Sequence, residues 1–175
     1  TQPAESPGEG RGVHLKDGAS FSLDGGAFIA NHDAGFVVRD GAAATVTGLL
    51  VENTQPDTYG WGGIGIEVLT DSQLVLERSA LLTNIEGGLV ATNIEGGVGG
   101  LLAGTSVEVR DSIIAHTQVS ADGAFGRGIQ TQTGASLIVE RSVIIDNNEA
   151  AIFIWEAFGD IRDTLLADTK VSGGF

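Results

Sequence analysis

Acid–base chemistry on a saccharide needs two carboxylates set across the scissile bond, roughly 5–9.5 Å apart. Glu67, Asp57 and Asp122 are the carboxylates whose sequence positions qualify them. Glu67 falls in Gly65-Ile66-Glu67-Val68, just inside an apolar run, while Asp57 and Asp122 fall in two long polar turns, 53–65 and 117–128. The same turns carry Tyr59, Trp61, Phe125 and Arg127. Aromatic rings beside amides and carboxylates make the kind of surface that sugars bind, with rings against pyranose faces and polar groups on hydroxyls. The candidate ligand contacts are therefore Tyr59, Trp61, Arg39, Gln130, Gln132, Arg127 and Trp155. The competing reading is that Trp61 and Phe125 pack their own loops down onto the fold. A lyase would need a base, and Arg39, Arg127 and Lys16 are the bases or clamps on offer, but they form no recognisable cluster.

Other chemistry is thinly represented. His14, His32 and His116 occupy unrelated positions and imply no histidine site. There is no H-E-x-x-H, G-x-S-x-G, phosphate-binding loop or EF-hand pattern. The turn Asn84-Ile85-Glu86-Gly87-Gly88 and its near-copy Asn93-Ile94-Glu95-Gly96-Gly97 could offer oxygens to Ca²⁺. Gly96-Gly97-Val98-Gly99-Gly100-Leu101 lacks the Asp that a calcium-binding nonapeptide places after its glycines, so a solvated acidic turn is the better reading and no cofactor or metal is expected.

Composition narrows the partners. The chain has 175 residues, with 9 Lys plus Arg against 23 Asp plus Glu, a net charge of −14. Such a field repels a phosphate backbone, which argues against nucleic-acid binding. No apolar run approaches the roughly 18 residues of a membrane span. Cysteine is absent, which removes disulfides, thiolate metal sites and redox dithiols.

The elements that must position these groups are set by a repeat. Asn31, Asn53, Asn84, Thr117, Asn147 and Thr169 each close a short apolar run; three residues earlier stand Phe28, Leu50, Leu81, Ile114, Ile144 and Leu166, and five earlier Gly26, Gly48, Ser79, Ser112, Ser142 and Thr164. Polar, large apolar and small columns thus persist through six copies. The polar residues lie 22, 31, 33, 30 and 22 apart, a base unit of 22–23 with insertions in the middle copies. Each unit reads as three short strands punctuated by Gly, Asn or Asp, as in Gly128–Thr131, Ser136–Val139 and Val143–Ile145. Three strands in one repeat suit a parallel β-helix, where each unit is one coil and like positions stack.

The pattern Gly-Ile-x-x-x-x-Gly-Ala-Ser-Leu-x-Val-x-x-Ser-x-Ile-x-x-Asn over Gly128–Asn147 resembles right-handed parallel β-helix repeat proteins of the pectate-lyase-like superfamily. The resemblance covers about residues 12–175 and implies an all-β, right-handed, single-stranded parallel β-helix of about six coils with three short strands each. It also implies an asparagine ladder, stacked amides bonding from coil to coil, and a ligand groove along one parallel sheet walled by loops. The superfamily includes lyases, hydrolases, adhesins and proteins of no known activity, so it does not choose a function.

Strand alternation then assigns faces. With the Ile of Gly-Ile-x-x inward, the outward columns of the first strands are His14, Val37, Glu67, Val90, Gln130, Phe153 and Lys16, Arg39, Leu69, Thr92, Gln132, Trp155. The two long turns and a third insertion near Asn93–Leu102 flank this sheet, which is where a shallow groove is expected. The third strands read as apolar on both faces: Ala27, Leu49, Ala80, Ile113, Val143, Leu165 and Ile29, Val51, Leu82, Ala115, Ile145, Ala167 point outward. That stripe suggests homo-association or a neighbouring domain. Charge pairs such as Glu77/Arg78, Arg110/Asp111, Glu140/Arg141 and Arg162/Asp163 recur at like coil positions and are expected to pair across coils. Residues 1–11 read as a linker or N-terminal cap and 12–175 as the β-helix, which the coil-like Ser172-Gly173-Gly174-Phe175 carries on beyond 175. The functional expectation is a non-catalytic module of a secreted or surface protein, used for structure, self-association or polysaccharide contact. The alternative is a polysaccharide-active lyase or glycoside hydrolase.

Overall fold

A computed structural model describes residues 10–93 and 104–170. These residues form strands alone: β1 (Val13–Leu15), β2 (Ser20–Ile29), β3 (Ala34–Val38), β4 (Ala43–Glu52), β5 (Ile64–Leu69), β6 (Gln73–Glu77), β7 (Ala80–Leu82), β8 (Gly87–Thr92), β9 (Ser106–Arg110), β10 (Ile113–Ala115), β11 (Arg127–Gln132), β12 (Ser136–Glu140), β13 (Val143–Ile145), β14 (Ile152–Trp155), β15 (Phe158–Arg162) and β16 (Leu165–Ala167). Every strand pairing is parallel, and β1-β3-β5-β8-β11-β14 stack as one six-stranded sheet. The remaining strands form a sheet folded on itself through the long strand β4. The chain is a parallel β-helix. From β5 onward each circuit has the three expected strands, but β2 and β4 are ten-residue strands that carry the second and third segments without a break. The bend within them falls at Gly25 and Gly48, both at positive φ (76° and 65°).

Alternation puts one large side chain inward per step, and like positions stack. Phe36, Ile66, Leu89 and Ile129 fill the core from the first sheet, Leu76, Val109 and Val139 from the second strands, and Leu81, Ile114 and Ile144 from the third; all are fully buried. Each such burial contributes roughly 1.5–3 kcal/mol.

The second circuit departs from the expected register by one residue. Phe28 pairs with Val51 and Val51 with Leu81, so Val51 is the inward residue and Leu50 the outward one. Leu49, not Gly48, takes the small-residue position, and buried Thr54, not exposed Asn53, takes the polar one. The outward stripe on the third strands therefore contains Leu50 and Glu52 in place of Leu49 and Val51, and a carboxylate interrupts it. Ala115 in that stripe is itself buried, whereas Ile29, Ile113 and Leu165 are about half exposed.

Two polar ladders run through the stack. In the first, the hydroxyls of Ser79, Ser112, Ser142 and Thr164 accept the N–H of Leu49, Ser79, Ser112 and Ser142 at 3.1, 3.1, 3.2 and 3.4 Å. Each hydroxyl donates to the carbonyl two residues before it. In the second, Asn and Thr alternate: Asn31, Thr54, Asn84, Thr117, Asn147, Thr169. The Asn84 Oδ1 accepts Thr54 N–H at 3.1 Å and its Nδ2 donates to Val51 O at 3.4 Å; Asn147 does the same to Thr117 N–H (3.0 Å) and Ile114 O (3.4 Å). The expected amide-to-amide ladder is thus an amide-to-backbone one, because threonine stands at every second step and has no amide to offer. Opposite this ladder lie Gly12, Gly35, Gly65, Gly88 and Gly128, where an added Cβ would come within 2.5–2.7 Å of the next circuit's carbonyl oxygen. The expected ion pairs do cross circuits on the outer face: Arg110 with Glu77 (3.5 Å) and Glu140 (3.4 Å), Arg141 with Asp111 (2.8 Å), and Arg162 with Glu140 (3.4 Å).

Candidate functional site

The long turn after Thr54 folds around one carboxylate. Asp57 Oδ1 accepts the N–H of Tyr59 (2.8 Å) and Trp61 (2.9 Å), while Asp57 N–H donates to Trp61 O at 2.7 Å. Gly60, Gly62 and Gly63 supply the positive φ values (80–89°) such a tight tip demands. Gly63 and Ile64 N–H donate to Asp33 O, and Ile85 N–H to Gly63 O, so the loop's base is clamped between neighbouring turns. With the backbone closed on itself, the rings project: Tyr59 is 67 % and Trp61 70 % exposed. The reading in which Trp61 packs its loop down is overturned, since nearly three-quarters of it faces water. The second long turn uses the same device, with Asp122 accepting from Ser120 Oγ and from Ala124 N–H (3.4 Å).

Phe125 and Arg127 behave differently. The Arg127 guanidinium lies 3.9 Å from the Phe153 ring centroid and 5.4 Å from that of Phe125. It also donates to Glu149 at 2.6 and 3.1 Å and to Gln130 Oε1 at 2.7 Å. Arg127 and Gln130, both expected as ligand contacts, are bonded to each other. Arg39 is similarly paired with Asp40 at 2.8 Å. Gln132 and Trp155 are register neighbours on β11 and β14, with Gln132 half-buried and Trp155 exposed.

The first-strand sheet keeps the expected outward columns, with His14, Val37, Glu67, Val90, Gln130 and Phe153 in register. Its middle is closed, however: outward-facing Val37, Leu69 and Val90 are only 1 %, 6 % and 9 % exposed. The insertion after β8, at 94–103, lies outside the described residues. Burial pushes the Glu67 carboxyl above its ordinary range; Asp33 adds to the rise, while Arg11 and Arg39 oppose it. Arg11 bonds Asp33 at 2.7 Å.

Asp57 and Asp122, expected as partners of Glu67, act instead on Glu86. Glu86 sits on the tight turn between β7 and β8, at φ 64°, with one long loop on each side. Burial raises its carboxyl to about 7, with Asp122 and Asp57 adding to the rise and the Gly62 N–H, bonded to the carboxylate, opposing it. The sequence marked Glu86 only as an acidic turn; its place midway between the two long turns was the signal for more. Among the described residues no three His, Asp or Glu side chains are grouped to hold a metal ion, and no helix is long and apolar enough to cross a membrane. The second acidic turn, Asn93–Gly97, lies outside the described residues from Ile94 on.

A family model described as a right-handed beta helix region matches residues 6–164. The chain belongs to the right-handed β-helix family. Comparison with curated proteins and with solved structures returned no match. For this β-helix protein, membership accounts for the stacked scaffold; the chemistry must be argued from loops and faces. What the β-helix presents is a rigid row of strands with two carboxylate-braced loops, one of which carries two bare aromatic rings.

Proposed function

We propose that this β-helix is a non-catalytic module of a secreted or surface protein that contacts polysaccharide through the Tyr59–Trp61 loop. The observation that carries the reading is the pair of rings, 67 % and 70 % exposed, on a loop whose backbone is fixed by Asp57. A ring held in water contributes little to folding, whereas stacking on a sugar face buries much of its area. A pre-formed loop also loses little conformational entropy on binding. Trp155, at the end of β14 three strands away, is exposed as well. The test is a polysaccharide array probed with the wild type and with Tyr59→Ala and Trp61→Ala. Binding that weakens at least tenfold while the melting temperature stays put supports the reading; binding that survives both substitutions refutes it.

A second reading, a polysaccharide-active lyase or glycoside hydrolase, is favoured by one observation. Burial holds the Glu67 carboxyl above its ordinary range, with the Asp33 charge adding to the rise, and a carboxyl raised by burial is the pattern of a general acid. Under that reading Glu67→Gln keeps binding and abolishes release of reducing ends, since an amide cannot exchange a proton at neutral pH.

A further inference from the structure

The first and last circuits of the described stack each have a neighbour on one side only. In the last, Ile154, Ile161 and Leu166 stand in inward columns, in register with Thr131, Val139 and Ile144, which are fully buried. They are nonetheless 39 %, 39 % and 45 % exposed. In the first, Leu15, Leu23 and Phe28 head the same three columns and are only partly buried. Two polar columns break off at the same edges. Asn84 and Asn147 each accept, through Oδ1, the N–H of the threonine one circuit back, and donate through Nδ2 to the carbonyl three residues before that threonine. Asn31 opens the ladder, and its buried Nδ2 has no partner. Thr169 closes it, three residues after Leu166. On the outer face Asp24, Thr47, Glu77, Arg110, Glu140 and Arg162 form one column. Arg110 meets Glu77 behind it, Glu140 ahead of it and Glu108 on its own strand. Arg162 has Glu140 behind it and Asp160 on its own strand, and among the described residues no circuit ahead.

We propose that the last circuit of one copy of this chain stacks on the first circuit of a second copy, head to tail. Each polar column that ends at one edge resumes at the other with the residue it lacks. In the register the circuits already use, Leu15, Leu23 and Phe28 of the second copy cover Ile154, Ile161 and Leu166. Asn31 then accepts from Thr169 N–H and donates to Leu166 O, as Asn84 and Asn147 do within the chain. Asp24 falls ahead of Arg162, in the place that Glu140 takes ahead of Arg110. Open strand edges are ready templates for pairing, and since every strand pairing in the chain is parallel, both edges keep the sense a translated copy needs. Such a contact joins two different surfaces and does not close, so copies add in an open series. It goes beyond polysaccharide contact and does not depend on it.

Strand spacing tests the register. Ile29 and Ala167 share a column, so Ala30 of one copy lies about 4.8 Å from Asp168 of the next, inside the roughly 4.4–6.8 Å that a disulfide spans between Cα atoms. The chain has no cysteine and both positions are exposed. Each copy carries a net charge of −14, so the full chain is studied in about 0.15 M salt, which screens charges beyond roughly 8 Å. Ala30→Cys and Asp168→Cys chains oxidised as a mixture should form a mixed disulfide dimer, while either alone forms little. In sedimentation the wild type should gain average mass with concentration past that of two copies. Asp24→Lys, which sets like charge before Arg162, should need a roughly fivefold higher concentration. Four results overturn the proposal: a monomer at every concentration, as when other parts of the chain cover the edges; an assembly that stops at two; disulfides no commoner in the mixture than in the single variants; or an Asp24→Lys chain that associates like the wild type.

Discussion

Placing a methyl group on Gly65 tests the stacking directly. Gly65 does not have positive φ, so alanine suits its backbone and would stiffen the unfolded chain, a gain of roughly 0.4–1 kcal/mol. The added Cβ, however, would stand 2.5 Å from Gly88 O and 2.8 Å from Asn84 Nδ2, where ordinary contact begins at 3.4 Å. About 0.9 Å must be found, the difference between 3.4 and 2.5. Neither neighbour gives way cheaply: Gly88 is backbone in β8, and the Asn84 amide is held by Thr54 N–H and Val51 O. Opening β5 from β8 weakens about two ladder bonds at roughly 1 kcal/mol each. Displacing the buried amide adds roughly 1–3 kcal/mol. The net loss is about 3 kcal/mol, a fall in melting temperature of roughly 6–12 °C. Gly41 and Gly134 serve as controls. Their φ values are 78° and 74° and nothing lies within 4 Å of an added Cβ, so each Ala costs roughly 1–2 kcal/mol from conformation alone. Urea denaturation of the three variants ranks them, provided the slope m is unchanged. If Gly65→Ala proves no worse than Gly134→Ala, the close approach of circuits at the glycine column is wrong.

Asn147→Ala should cost about 1–3 kcal/mol in the same assay, by stranding the Thr117 N–H and Ile114 O it satisfies. Thr117→Val should be close to neutral, because the buried Thr117 Oγ1 has no partner to lose; a loss as large as that of Asn147→Ala would contradict the ladder's geometry. Ile144→Asn, at a fully buried inward position, should cost about 3–5 kcal/mol and leave no cooperative unfolding transition. Glu67 and Glu86 have folded-state pKa values raised from 4.5, Glu86 to about 7. Their contribution is therefore fully present below about pH 4.5, is lost as pH rises through the raised values, and is absent above them. Stability should fall between pH 5 and 7.5, and Glu67→Gln with Glu86→Gln should flatten that slope; an unchanged slope would place the titrating groups elsewhere.

The fold was legible because stacked circuits force like residues into columns, and three columns survive in the sequence. Register in the second circuit was not. Gly48 and Asn53 have the right chemistry for the small and polar columns, yet Gly48 is spent on a bend, so Leu49 and Thr54 fill those columns instead. The serine ladder showed only as a run of small residues, since the sequence does not say whether a hydroxyl bonds upward or merely fits. At the site, Tyr59 and Trp61 were readable as exposed candidates because they lie in a polar, glycine-rich turn. Which carboxylate meets which was not. The charges of Asp57 and Asp122 act on Glu86 because both loops are pinned to its turn by backbone bonds, and such bonds leave no mark on residue type. Arg127 looked free for the same reason, although Phe153 and Glu149 lie in the next circuit's turn and strand.

The alternation of Asn and Thr gives the solenoid a grain coarser than its circuits. Glycine and serine columns repeat once per circuit, but asparagine recurs only at Asn31, Asn84 and Asn147, at intervals of 53 and 63 residues. Excising one asparagine-bearing circuit would set threonine on threonine and leave a buried peptide N–H facing a hydroxyl that cannot span to it. Excising two adjacent circuits would rejoin the chain in phase. Removing one asparagine-bearing circuit should therefore cost more than removing one threonine-bearing circuit, while removing an adjacent pair keeps the ladder in phase.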